Sequence, residues 1–171
     1  MRSFKVTAFG AALEEIIEDA PVPVGTEVLL RVAACGVCHS DVHLREGSFD
    51  LGPDGRLDLS RGLRTPFTLG HEVAGAVVAL GPEAAGVGGR IAVGDRRVVY
   101  PWIGCGGCAV CRAGNEHLCR APRNIGIQCG GGYSDHVLVP HPRYLLDYGA
   151  IPVAEACTYA CSGLTAYGAL K

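Results

Sequence analysis

Hydrophobic and polar positions alternate over several short stretches of the chain, and this pattern predicts β-strands rather than long helices. Residues 4–10 alternate and residues 13–19 follow closely, so two strands joined by a short turn are expected. The run 27–36 is rich in β-branched residues and ends on a glycine, which makes it the strongest strand prediction. Further strands are predicted at residues 73–80, 96–100 and 133–140.

Helical signals are weaker and fall in two places. A short helix is predicted at residues 38–45, whereas residues 46–64 are irregular and rich in Gly, Asp and Arg, as in an exposed loop. After Pro152 the chain becomes rich in alanine, with apolar residues at helical spacing. We therefore expect a mainly β domain with short helices over residues 1–153, followed by a helical segment over 154–171.

Composition and charge narrow the possible partners. Of 171 residues, 49% are hydrophobic and 19% charged, enough to build one globular core. The formal net charge of −2 lacks the basic excess that binding to nucleic-acid phosphates requires. No apolar run approaches the roughly 20 residues that span a bilayer, and the amino terminus does not resemble a signal peptide. We expect a cytoplasmic protein that binds neither nucleic acid nor membrane.

Cysteine content is the unusual feature of the composition. Nine cysteines cannot all pair within one chain, and several are only three positions apart, so metal binding is favoured over disulfides. One lobe, at about residues 100–122, carries four of them: Cys105, Cys108, Cys111 and Cys119. Four thiolates around a tetrahedral Zn²⁺ leave no open position, which is typical of a structural zinc site. An iron–sulfur cluster and reduced structural thiols are the alternatives.

Other candidate ligands are dispersed along the chain. Residues 38–43 (CHSDVH) and 69–72 (LGHE) each place potential ligands at a turn beside a predicted strand or helix, and Cys161 begins a glycine-containing segment near the end. Neither of the first two segments is specific by itself, because a lone histidine is more often structural than metal-bound.

Taken together, these motifs resemble those of the zinc-dependent medium-chain alcohol dehydrogenases. The resemblance rests on residues 35–41 (CGVCHSD), 70–75 (GHEVAG), 131–134 (GGYS), the four-cysteine lobe and the segment from Cys161. The motifs occur in the family's order and cover nearly the whole chain. The fold implied is the family's GroES-like β-barrel catalytic domain without its Rossmann coenzyme domain.

The resemblance implies a catalytic zinc held by Cys38, His71 and Cys161. Such a Cys₂His set with one open position is known from alcohol dehydrogenases themselves. The zinc would act as a Lewis acid that favours the alkoxide of a bound alcohol, which releases hydride to a nicotinamide. Ser40 matches the hydroxyl that takes the alcohol proton, and His43 matches the residue that passes it toward solvent.

Four further roles follow from the same resemblance. Asp41 would hydrogen-bond the free nitrogen of His71, and Glu72 matches a carboxylate beside the zinc that can assist ligand exchange. His39 matches a residue near the coenzyme pyrophosphate, and Thr165 one that touches the nicotinamide. Without the resemblance, the favoured readings are that Asp41 is an acid at a helix N-terminus and that Ser40 is a turn hydroxyl.

The third zinc ligand has competitors. Cys157 lies four residues before Cys161, hence on the same face of a helix, and Glu155 is close by. Cys161 is preferred because Gly163 and Thr165 follow it with the family's spacing. Trp102, Ile103, Leu44 and Phe49 are candidates for lining an apolar substrate pocket, or else belong to the core.

The function implied is that of a zinc-dependent NAD(P) alcohol dehydrogenase that oxidises an alcohol to an aldehyde or ketone by hydride transfer. Two zinc ions, a small alcohol or carbonyl substrate and a homo-oligomeric full-length enzyme are expected. These residues contain no G-x-G-x-x-G turn between a strand and a helix, so the chain is expected to be truncated before the coenzyme domain and inactive alone. One alternative is a stand-alone zinc-binding or interaction module with this fold; another is a quinone-reductase-like relative without catalytic metal.

Overall fold

The computed structural model describes residues 1–87 and 89–171, and this part of the chain is mainly β-structure. The strands are β1 (Arg2–Val6), β2 (Glu14–Ile17), β3 (Val28–Gly36), β4 (Ser48–Asp50), β5 (Arg56–Asp58), β6 (Phe67–Thr68), β7 (Glu72–Leu80), β8 (Arg96–Val99), β9 (His136–Val139) and β10 (Leu145–Leu146). The α-helices are α1 (His39–Glu46), α2 (Ala109–Arg112), α3 (Val153–Ala156) and α4 (Ser162–Ala169).

Single turns of 3₁₀-helix connect several of these elements. They lie at Gly52–Asp54, Ser60–Gly62, Ala84–Gly86, Glu116–Leu118, Pro142–Tyr144 and Cys157–Ala160. The longest helices, α1 and α4, have eight residues each. No helix in the described ranges is long and apolar enough to cross a membrane.

An antiparallel sheet of five strands, in the order β10-β8-β7-β3-β9, forms the centre of the fold. Its two long strands, β3 and β7, pair from Val28 opposite Leu80 to Gly36 opposite Glu72. A three-stranded sheet, β2-β1-β6, and the hairpin β4-β5 complete the strands of the described ranges. Because β3 ends where β7 begins, the residues just after β3 lie beside those that open β7.

Alternating side chains of β3 and β7 supply the main core. Val28 and Leu30 of β3 and Val73 and Val77 of β7 are at most 1% exposed, as the β-branched pattern of these runs predicts. A second core cluster, which includes Ala74 and Val98 of the sheet, packs against Ala156, Cys157 and Ala160. This apolar contact docks the carboxyl-terminal helical segment onto the sheet and brings Cys161 toward the start of β7.

Two sequence predictions differ from the observed structure. Residues 46–64 are largely exposed, as expected, but they contain the hairpin β4-β5, whose polar strands bury too little to produce an alternating pattern. Residues 154–171 form three short helical pieces instead of one helix. The break is at Cys161, whose backbone dihedral angles (φ −130°, ψ −70°) lie outside the helical region.

Candidate metal centre

Four potential metal-binding side chains converge between three separate segments of the chain. Cys38 precedes α1, His71 and Glu72 stand at the start of β7, and Cys161 precedes α4. Their potential ligand atoms all lie within 4.8 Å of one another. We call these four residues the dispersed cluster. The pairing of β3 with β7 and the docking of the carboxyl-terminal segment on the sheet bring them together.

The ring of His71 is fully buried and has one nitrogen without a partner. Nδ1 lies 3.2 Å from Oδ1 of Asp41, whereas Nε2 has no hydrogen-bond partner among the described residues. A buried polar atom without a partner costs about 1–3 kcal/mol, so such atoms are rare. Donation from Nδ1 to the carboxylate leaves the lone pair of Nε2 free to bind a metal ion.

Asp41 is 3% exposed, and its carboxylate accepts four hydrogen bonds. The donors are the backbone N–H groups of Cys38 (3.0 Å) and Gly70 (3.1 Å), the ring of His71 and the hydroxyl of Tyr133 (3.2 Å). Burial by itself raises the pKa of Asp41, but the bond and the charge of His71 and the two N–H donors hold that pKa below its ordinary value. The carboxylate therefore stays ionised and fixes the histidine tautomer.

Tyr133 is a contact that the sequence analysis missed, although its motif was recognised. Its hydroxyl donates to Asp41, and burial together with the charge of Asp41 raises the pKa of Tyr133. Gly70 makes room for the ring: its φ is +94°, and a Cβ there would overlap Tyr133. In the sequence this tyrosine is recognisable only because it follows two glycines, and that motif does not predict its hydrogen bond to Asp41.

The thiols of the dispersed cluster differ in how readily they ionise. Burial raises the pKa of Cys38, but hydrogen bonds from the backbone and hydroxyl of Ser40, together with His71, bring it below its ordinary value. Burial and the negative charges of Cys38 and Glu72 raise the pKa of Cys161 to about 12. Repulsion therefore opposes ionisation of both thiols beside the carboxylate, and a divalent cation between them would remove that repulsion.

Glu72 is 2% exposed and has partners on one carboxylate oxygen. Oε1 accepts hydrogen bonds from the backbone N–H of Ser162 at 3.1 Å and from its hydroxyl at 2.5 Å. Oε2 lies against Gly36, where a Cβ would overlap it. The carboxylate is thus confined between the start of α4 and the end of β3.

The competing third ligands lie outside the dispersed cluster. The thiol of Cys157 donates to the carbonyl of Ala154 at 3.3 Å and packs in the second core cluster, while Glu155 is exposed. Cys157 and Cys161 do not share one face of a helix, because the 3₁₀ turn Cys157–Ala160 ends before Cys161, whose backbone dihedral angles are not helical.

The four cysteines of the lobe form a second cluster, with sulfur atoms all within 4.8 Å of one another. Sγ of Cys108 lies 3.4 Å from Cys111 and 3.9 Å from Cys119, and Cys105 lies 3.9 Å from Cys111. A tetrahedral ion with Zn–S bonds of about 2.3 Å separates its sulfur ligands by about 3.8 Å, whereas a disulfide requires about 2.05 Å. These separations suit one ion and leave no room for a cluster of several irons.

Backbone groups of the lobe are directed at the same sulfur atoms. The N–H groups of Cys105 and Ala121 donate to Sγ of Cys119, and that of Cys111 donates to Cys108, each at 3.4 Å. Hydrogen bonds from the backbone of Gly107 and Cys108 lower the pKa of Cys105 to about 6. Such donors stabilise thiolates, the form in which cysteine binds metal.

Glu116 joins the lobe to the rest of the domain. Its carboxylate accepts from the hydroxyl of Tyr144 at 2.6 Å and the N–H of Gly104 at 3.1 Å, and it pairs with Arg143 at 2.8 Å. Burial raises its pKa, but these three partners hold the pKa of Glu116 below its ordinary value. Sequence reasoning missed this residue because its partners are distant in sequence.

Comparison with known proteins agrees with this combination of clusters and fold. The family model described as the alcohol dehydrogenase GroES-like domain matches residues 25–148. The chain belongs to this family. The predicted fold class, a mainly β GroES-like domain with short helices, is confirmed.

Individual relatives of this GroES-like domain are dehydrogenases. The NAD-dependent alcohol dehydrogenases of Sulfurisphaera tokodaii and Saccharolobus solfataricus are 42% and 40% identical to it, over 100% of this chain and 47% of each relative. The crystal structure of the D-arabinose dehydrogenase from Sulfolobus solfataricus superposes with a TM-score of 0.81 at 30% identity, covering 99% of this chain and 46% of that one. The chain therefore spans about half the length of the relatives it matches.

The predicted relay residues of the GroES-like domain lie on α1. Ser40 is in the first turn beside Cys38, and His43 is one turn further along and partly exposed. The ring of His43 lies 4.4 Å from Phe49 and stacks on the exposed His39 at 5.2 Å. The structure thus places Ser40 near Cys38, and His43 beside His39 and Phe49.

The other residues of the GroES-like domain that were predicted to contact coenzyme or substrate lie either near the candidate site or in the hydrophobic core. The ring of Trp102 is 5.5 Å from that of His71, and the exposed Thr165 donates its backbone N–H to the carbonyl of Cys161 at 2.8 Å. Leu44 and Ile103, by contrast, are buried in hydrophobic clusters. Of the four proposed pocket residues, only Trp102 and Phe49 contact rings of the candidate site.

Proposed function

We propose that this chain is the catalytic domain of a zinc-dependent alcohol dehydrogenase, which oxidises an alcohol to an aldehyde or ketone with NAD(P). The observation that carries the proposal is the dispersed cluster, in which the thiols of Cys38 and Cys161 lie within 4.8 Å of a ring nitrogen of His71, whose Nε2 has no hydrogen-bond partner among the described residues. Membership of the alcohol dehydrogenase GroES-like family supports it. The other half of the enzyme would supply the coenzyme-binding domain.

The ligands of the catalytic zinc would be Cys38, His71 and Cys161. Nitrogen and sulfur donors suit Zn²⁺, and three protein ligands leave one tetrahedral position for substrate, as catalytic zinc sites require. The two thiolates neutralise the charge of the ion, and Asp41 keeps His71 in the tautomer that can bind it. When bound, zinc supplies Lewis acidity, which lowers the pKa of a hydroxyl group placed in the open position.

Residues of α1 would handle the proton that leaves the alcohol. Ser40 would hydrogen-bond the substrate hydroxyl, and its position next to Cys38 keeps it within the site. His43, three residues on and on the same face of α1, is partly exposed and can exchange that proton with solvent. The hydride would leave the substrate carbon for the nicotinamide.

A second zinc would occupy the four-cysteine lobe in a structural role. Its four thiolate ligands leave no position for substrate. Because the lobe contributes few side chains to the hydrophobic clusters, the metal would supply much of its folding free energy. The two clusters together would hold two zinc ions per chain.

Contacts to coenzyme and substrate complete the proposal. The exposed His39 would lie near the coenzyme pyrophosphate, and Thr165, after Cys161, near the nicotinamide. Trp102 would border the substrate, a small alcohol, and the full-length enzyme would form homo-oligomers. A purely structural zinc module has no chemical use for Ser40 and His43 beside a three-ligand cluster.

A chimaera tests the proposed activity. The chain is joined to the remaining part of the Sulfurisphaera tokodaii relative, and NAD-dependent alcohol oxidation is measured. We expect activity that falls by about 10²–10⁴ in kcat in the Ser40→Ala variant. A chimaera that folds, binds NAD and two zinc ions and yet oxidises no alcohol would favour the stand-alone module.

A further inference from the structure

Glu72 is the member of the dispersed cluster that the proposed Cys₂His set does not use. Its carboxylate lies within 4.8 Å of the ligand atoms of Cys38, His71 and Cys161. Carboxylate oxygens bind Zn²⁺ at about 2.0–2.2 Å, so Glu72 is near enough to serve as a fourth protein ligand of an ion in this cluster. Coordination by Glu72 would close the position that the substrate needs.

Two features of this chain hold the carboxylate in place. The N–H and hydroxyl of Ser162 both donate to Oε1, at 3.1 and 2.5 Å, and the hydroxyl contact is in the short range of bonds to an ionised acceptor. On the other side, Oε2 lies against Gly36. Ser162 follows Cys161 directly, so a ligand and the donor to Glu72 are adjacent in the chain.

We propose that Ser162 is a positioning residue that holds Glu72 away from the metal and keeps the substrate position open. The inference rests on the proposed function, since it presumes a metal in the dispersed cluster. The electrostatic attraction between a divalent cation and a buried carboxylate favours coordination. The hydroxyl of Ser162 opposes it, because coordination through Oε1 would leave that hydroxyl without its acceptor.

A purely structural role for Ser162 predicts a different effect of removing its hydroxyl group. In that case the contact only satisfies the first N–H group of α4 and the buried carboxylate, and loss of the hydroxyl lowers stability without changing the metal's ligands. A measurement of metal coordination at the dispersed cluster therefore distinguishes the positioning role of Ser162 from a purely structural role.

The experiment exchanges Co²⁺ into the dispersed cluster while the lobe keeps zinc, with one cobalt and one zinc per chain verified by elemental analysis. The visible absorption of cobalt reports its coordination, and a titration with imidazole reports access to the open position. We expect Ser162→Ala to change the cobalt spectrum and to weaken imidazole binding at least tenfold. Ser162→Thr, which keeps the hydroxyl, should behave as the wild type.

A double variant identifies the carboxylate as the cause. Ser162→Ala combined with Glu72→Gln should restore imidazole binding, because the amide is a weaker ligand than the carboxylate. Unchanged spectra and imidazole affinity in Ser162→Ala would overturn the inference and leave the proposed site intact. A wild-type chain that binds no cobalt outside the lobe would overturn both.

Discussion

Nδ1 of His71 lies 3.2 Å from Oδ1 of Asp41, and this contact decides which nitrogen of the buried ring can bind a metal. Asp41 also accepts from Tyr133 and from two backbone N–H groups, so the carboxylate is fixed from several directions. A rigid acceptor orients the ring and increases the basicity of the free nitrogen. The metal affinity of the candidate site therefore depends on Asp41, a residue that does not itself bind metal.

Replacement of Asp41 tests this dependence. Asp41→Asn removes the negative charge and should weaken zinc binding at the dispersed cluster by about 10–100-fold. Competition with a chelator measures that affinity. Asp135 offers a matched control, because it makes a similar contact to His136 at 2.8 Å outside the cluster, and Asp135→Asn should leave both zinc ions in place. Equal affinity in the wild type and Asp41→Asn would contradict the role of the contact.

Gly36 should be intolerant of even one methyl group. A Cβ there would overlap the carboxylate of Glu72, which is buried and held by Ser162. We expect Gly36→Ala to lower the free energy of unfolding by about 1–3 kcal/mol, measured by urea denaturation. Gly62→Ala is the control, since nothing lies within 4 Å of a Cβ at that position. Equal stability of the two variants would show that the carboxylate moves freely.

The lobe should lose its order when its metal is removed. Cys108→Ser breaks the four-thiolate set, and the amides of Cys105, Cys111 and Ala121, which donate to sulfur, should lose protection from hydrogen exchange. Mass spectrometry of the exchanged peptides measures the effect. Cys129→Ser, outside both clusters, is the control, and unchanged protection in Cys108→Ser would mean that no metal organises the lobe.

Glu116 should make stability depend on pH in a defined direction. Its pKa in the folded chain is below the ordinary value of about 4.3, so its contribution is complete at neutral pH and is lost as the pH falls through the folded pKa. We expect Glu116→Gln to cost about 1–3 kcal/mol at pH 7, and the difference from wild type should shrink as the solution is acidified. Urea unfolding at each pH measures the cost at pH 7 and its decrease at lower pH.

The exposed Glu155 provides the control for the substitution. Glu155→Gln should leave the free energy of unfolding at pH 7 nearly unchanged. A difference for Glu116→Gln that grew toward low pH would contradict the direction of the pKa shift.

Runs of apolar residues in the sequence predicted the strands whose side chains are buried. The runs that became β3 and β7 were recognisable because each is a continuous, mostly apolar run containing several valines, and its side chains are largely buried in part of the strand. The hairpin β4-β5 was missed because its strands bury too little, and the break at Cys161 was missed because alanine spacing continues through it. Tertiary docking, rather than helix propensity, decides the geometry there.

Some residues of the candidate site could be predicted from the sequence, and others could not. The four cysteines of the lobe are close in sequence, so their spacing alone indicated a metal. Cys38, His71 and Cys161 were connected only through the family resemblance, since no periodicity relates them. Tyr133, Ser162 and Glu116 act through hydrogen bonds to residues distant in the chain, for which the sequence contains no spacing signal.

The metal content per chain tests directly whether the dispersed cluster binds a metal ion. Elemental analysis of the wild type and of a variant that combines Cys38→Ser with His71→Ala counts the ions in the two clusters separately. We expect two zinc ions in the wild type and one, retained by the four-cysteine lobe, in the variant. One zinc in both proteins would contradict a metal centre at Cys38, His71 and Cys161.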